Sequence, residues 1–110
     1  MERERIARSG PKLSIETLEV VELLFQTADR ERVKELLFHE CGSNLFPRET
    51  YAQDMDRIRL AAIKCSNGKF PLLQDAVKLA KLDWRDLLVA AGFADDVEAH
   101  RGWRLSLHNR

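Results

Sequence analysis

Apolar residues recur along this chain at spacings of three and four, which predicts helices throughout; no alternating strand pattern competes with them. The clearest stripe is Tyr51, Met55, Ile58, Ala62 and Cys65. Ala52, Leu60 and Ile63 form a second apolar line on the same segment, so a helix from about Pro47 to Ser66 should be central and touch neighbours on more than one side. Ahead of it, Leu18, Val21, Leu24, Phe25 and Ala28 mark a first helix from about Ser14 to Ala28. Asp29 then stands as the N-cap of a second helix, with Val33, Leu36 and Leu37 as its core face, Cys41 at its end and Gly42 as terminator. Glu40 falls at the unfavourable end of that helix for a carboxylate, which suggests a frayed last turn.

Beyond the central helix, Ser66-Asn67-Gly68 is a stop and Pro71 an opening residue. Leu72, Leu73, Ala76, Val77, Leu79 and Ala80 cover about half of the next helix. The chain must then turn sharply, because Asp83 caps a further short helix with Trp84, Leu87, Leu88 and Ala91 on one side and Gly92 ending it. Ala94-Asp95-Asp96 should begin a last helix through about Arg101, with Trp103, Leu105 and Leu107 folding back as a C-terminal clasp. The expected fold class is all-α, a compact bundle of five to six short helices. Residues 1–12 read as a flexible, charge-alternating tail and 13–110 as a single helical domain, with Met55, Ile58, Ala62, Leu73, Val77, Leu87 and Leu88 buried.

Composition narrows the function classes. Eighteen Lys and Arg balance eighteen Asp and Glu, giving a formal net charge of zero; a strong non-specific nucleic-acid binder needs a cationic surplus. No apolar stretch reaches the length of a membrane span, and no apolar run follows the basic start, so a cytoplasmic location with reduced Cys41 and Cys65 is the expectation. Arg57, Arg59 and Lys64, with Asp54 and Asp56, give the central helix a mixed charged face that ordinary surface pairs account for.

The chain lacks a glycine-rich phosphate loop, a nucleophile elbow, a zinc helix and a calcium loop. His39 and Cys41 are separated only by Glu40, which is not the gap of a zinc knuckle, and the pair diverges on a helix. No catalytic residue, cofactor or metal is therefore expected. The corner from Lys81 to Phe93 has the spacing of a helix-turn-helix, but its second helix starts with Asp83, Trp84 and Asp86, carboxylates that DNA phosphates repel. Three apolar residues stand outside the core stripes: Leu23 among the glutamates of the first helix, Phe38 off the second stripe, and Phe46 in the loop. They form the expected contact surface of a small non-enzymatic protein–protein interaction or regulatory module, whose partner is another protein or a second copy. The alternatives are a helix-turn-helix-like DNA-binding regulator, and an enzyme or metal protein using His39, Cys41 or Cys65.

Overall fold

The computed structural model describes residues 12–42, 45 and 52–108. The expectations for residues 1–11, for Phe46 and for the start of the central helix at Pro47 lie outside them. Among the described residues five helices follow one another: α1 Ile15–Leu24, α2 Thr27–Glu40, α3 Ala52–Ser66, α4 Phe70–Ala91 and α5 Ala99–Leu107. No strand occurs among the described residues, and no helix there is long and apolar enough to cross a membrane.

α1 starts where expected. Ser14 caps it, its hydroxyl accepting from the Thr17 amide at 3.1 Å, which satisfies one of the first-turn donors. It stops four residues short of the expected end. Phe25 and Gln26 are extended, at φ −107°, ψ 146° and φ −66°, ψ 152°. The break lets the Phe25 ring enter the core, where it is buried. The Arg30 side chain then serves the carbonyls left behind, donating to Phe25 O at 3.1 Å and Glu22 O at 2.9 Å. Consequently α2 starts at Thr27, Ala28 is exposed, and Asp29 sits in the first turn rather than at the cap.

α2 buries Val33 and Leu37, followed by Cys41, as the stripe predicts. Its last turn is helical through Glu40, which pairs with Lys81 of α4 instead of fraying. Gly42 is not a left-handed terminator. It is a point of close approach, where a Cβ would lie 2.8 Å from Arg59 Nη2.

α3 is the central helix. Met55, Ile58, Leu60, Ala61, Ala62 and Ile63 are all buried, so both apolar lines face neighbours. The charged face is where the expectation fails. Arg59 is fully buried; its Nε donates to Cys41 O at 2.8 Å and its Nη1 to Lys12 O at 3.3 Å. Arg57 Nη2 donates to Phe93 O at 2.7 Å and Ala94 O at 3.3 Å, and Lys64 Nζ to Ala91 O at 2.8 Å. Asp56 accepts from the Thr17 hydroxyl at 3.3 Å rather than pairing with Arg59. These cations tie α3 to the ends of α2 and α4 instead of decorating a solvated surface.

The turn into α4 is made by Asn67 (φ 53°) and Gly68 (φ 77°). The Ser66 hydroxyl donates to Ile63 O at 2.6 Å and accepts from the Gly68 amide at 3.1 Å. Gly68 meets two demands at once: a left-handed backbone, and contact with the end of α1, where a Cβ would overlap the Leu24 carbonyl oxygen. α4 then opens at Phe70 with Pro71 in its first turn, and the α3–α4 pair packs more extensively than any other helix pair. It is two helical segments joined at Asp83, whose φ −163° and ψ 104° break the helix. The Asp83 carboxylate accepts from the Arg85 amide at 3.0 Å, so the expected cap and sharp turn are present. Gly92 (φ 80°) ends the second segment as expected, with its amide bonded to Val89 O and that of Phe93 to Leu88 O, the pairing of a Schellman motif.

Residues 94–98 form turns, and α5 begins at Ala99 rather than Ala94. Asp96 accounts for the delay: its side chain accepts from the Glu98 amide at 2.9 Å and its carbonyl from Ala99 at 3.0 Å. Such an Asx turn competes with helix. Trp103, Leu105 and Leu107 are therefore helical, with Trp103 and Leu107 packed on the core and Leu105 exposed. All seven residues named as core are buried.

Two substitutions test this frame. Arg59→Met keeps much of the volume but strands buried carbonyls, and should cost about 2–4 kcal/mol in urea unfolding. Gly68→Ala adds a left-handed penalty to a backbone overlap and should cost about 2–4 kcal/mol. An unchanged unfolding midpoint in either variant would contradict the packing described.

Candidate functional site

The residues named for chemistry are dispersed. Cys41 is fully buried, and burial pushes its thiol up to about 12 despite the opposing charge of Arg59. It stays protonated, which removes it as a nucleophile. Cys65 is half-buried and its thiol is also raised by burial, with Lys64 opposing. Both thiols are free. His39 is exposed, its ring edge-on to Phe38 at 5.0 Å and its Nε2 3.5 Å from Glu35. Among the described residues no three His, Cys, Asp or Glu side chains converge as metal ligands.

His100 is a buried titratable group that no motif in the sequence marks. At the start of α5 it is 4% exposed, with Nδ1 buried and without a hydrogen-bond partner. Its ring lies 6.3 Å from that of Phe93. Burial pulls its pKa below 6.5; the charges of Arg101 and Arg57 act in the same direction, while Asp56 and Glu98 oppose. Only the tertiary packing of the Phe93 turn against α5 reveals this, because His100 carries no spacing signal.

The expected contact residues separate. Leu23, on the last turn of α1, is 50% exposed. Phe38 is half-buried in the last turn of α2, about 16 Å along the axis from the start of that helix. Leu23 precedes the start of α2 in the chain and Phe38 lies in its last turn, while Phe46 is outside the described residues.

A different surface is concave. An open groove of about 500 Å³ lies between the start of α2 and the start of α4. Phe70, Pro71 and Leu72 supply its apolar lining, with Leu72 40% exposed. The Arg32 guanidinium lies over the Phe70 ring at 4.1 Å and is itself held by Asp29 at 2.7 Å, a cation–π stack that fixes the ring. Gln26 and Lys69 line the groove and are the N-cap residues of α2 and α4, and neither side chain caps its helix. The groove therefore joins apolar lining to two helix starts, where backbone donors suit a carbonyl or carboxylate acceptor. Sequence reading missed it because it depends on α1 ending early and on the Asn67–Gly68 turn seating against α1.

Comparison of the chain with protein-family models, with characterised proteins and with solved structures gave no match.

The buried imidazole predicts a pH dependence. With the folded pKa below the unfolded one, the unfolded chain binds the extra proton as pH falls below 6.5, so stability drops toward acid. His100→Gln should flatten the fall in urea midpoint between about pH 7.5 and pH 5.5. An equal acid slope in the variant would assign the effect to other groups.

Proposed function

We propose that this chain is a non-catalytic protein–protein contact module, and that its docking face is the groove between the starts of α2 and α4. The observation that carries the reading is a groove with an apolar lining of Phe70, Pro71 and Leu72, in which Leu72 stays 40% exposed beside a Phe70 ring held by Arg32. Its size suits one or two apolar side chains of a partner segment. The uncapped starts of α2 and α4 offer donors to that segment's backbone or carboxyl terminus. Leu23, 50% exposed, is the neighbour in α1 of Leu24, against whose carbonyl the groove residue Gly68 packs.

The small regulator and the homodimer are two forms of this reading. Catalysis receives no support from the two cysteines, one sealed in the core and both raised by burial. The DNA-binding alternative is weakened because Arg85, the basic residue at the start of the second α4 segment, is drawn onto Asp83 at 3.1 Å.

Leu72→Asp and Leu23→Ser change exposed positions and should leave the unfolding midpoint within about 0.5 kcal/mol of the parent. Sedimentation of the parent and variants across concentration tests the homodimer, which should weaken in Leu72→Asp. For a monomer, affinity capture from the cells that make it should retain a polypeptide with the parent and lose it with Leu72→Asp. A strict monomer whose retained set is unaffected by either substitution would end this reading.

A further inference from the structure

The cavity beside His100, about 190 Å³ between α1, α3 and α5, is lined by Glu16 and Asp56 and by Arg101 and Arg104. Its charges balance within the lining. The turn between α3 and α4 carries a reactive pair instead. We propose that Asn67 is a modification site, whose side-chain amide is lost by spontaneous deamidation, and that the seating of Gly68 controls when this happens. The proposal is independent of what the groove binds.

The sequence supplies the reactants. An asparagine amide can be attacked by the backbone nitrogen of the next residue, and a side chain on that residue hinders the approach. Asn44 precedes leucine and Asn109 precedes arginine; Asn67 alone precedes glycine. In the reaction the Gly68 nitrogen bonds to Asn67 Cγ and the Cγ–Nδ2 bond breaks. The Gly68 amide proton leaves with that nitrogen as ammonia. Water then opens the cyclic imide at either carbonyl. One opening leaves aspartate; the other leaves isoaspartate, whose main chain runs through Cβ and Cγ and is one methylene longer. Nothing is oxidised or reduced, and water is the only co-reactant.

The fold supplies the restraint. Asn67 (φ 53°) and Gly68 (φ 77°) are the central residues of a turn closed by the Lys69 amide on Ser66 O at 3.0 Å, the pattern of a type I′ turn. Asn67 is exposed, so water reaches it. Gly68 is held in three ways. Its amide donates to Ser66 Oγ at 3.1 Å, which engages the proton that closure must remove. Ser66 is fully buried and its hydroxyl donates to Ile63 O at 2.6 Å, so that acceptor is itself fixed. The Gly68 backbone is seated on the end of α1, where a Cβ would overlap the Leu24 carbonyl oxygen. Closure of the imide therefore needs the turn to lift off α1, a local opening that costs less than unfolding the whole chain. The product acts on the same contact: an isoaspartate methylene lengthens the turn and loosens the seat of Gly68.

Storage of the full-length protein in mildly alkaline buffer, with and without guanidinium chloride, followed by peptide mapping in a mass spectrometer, is the direct test. The Asn67 peptide should gain the mass of exchanging NH for O and separate into aspartate and isoaspartate forms. Asn67→Gly, which suits the left-handed turn, should abolish the gain. The reaction should run at least about ten-fold slower in the folded chain than in the denatured one. Hydrogen exchange should find the Gly68 amide protected, and Ser66→Ala should speed the modification about three- to ten-fold. The exchange measurement uses the parent alone, so the restraint is tested even if Ser66→Ala does not fold. No modification at Asn67 in the denatured chain, equal rates in folded and denatured protein, or an unprotected Gly68 amide would overturn the proposal.

Discussion

The last carbonyls of a helix have no partner within it, and in this protein cationic side chains from elsewhere provide one. Arg30 serves the end of α1 and Arg59 the end of α2. Lys64 and Arg57 together serve the end of α4 and the turn beyond it. Three of these four residues lie on α3, so the central helix sets where its neighbours stop as well as what they pack against. A charge-assisted hydrogen bond to a buried carbonyl is worth more than an exposed ion pair, and its loss leaves an acceptor stranded. The apolar core supplies most of the favourable energy, while these contacts fix the helix ends relative to one another.

Much of the frame is legible in the residues, for local reasons. Pro71, Asp83 and Gly92 act through their own backbone or immediate neighbours, and each does what its chemistry predicts. The buried stripes of α3 and α4 follow from helical period alone. The misreadings share one cause. On spacing, Arg59 pairs with Asp56 three residues away; in the fold it turns to the end of another helix. No glycine or proline announces the break at Phe25–Gln26, because tertiary contacts sustain it: a ring drawn into the core and Arg30 on the released carbonyls. The candidate sites inherit the same limit. Leu23 could be recognised as exposed from its glutamate neighbours, whereas the groove beside Phe70 and the cavity beside His100 exist only once three elements have met.

The groove and the cavity differ in the physics they offer. The groove is open, with an apolar floor and helix starts that favour an acceptor. The cavity is smaller, and its lining mixes two carboxylates with two arginines.

The inward turn of the cations also changes what neutrality means here. The chain is balanced by count, yet its positive charge is partly drawn toward backbone oxygens at the helix ends. Among the described residues, the exposed carboxylates outnumber the exposed cations. The cations on α3, among the same residues, lie further inward than most carboxylates. A partner that docks on the described surface therefore meets more carboxylates than cations, a bias that salt screens beyond about 8 Å.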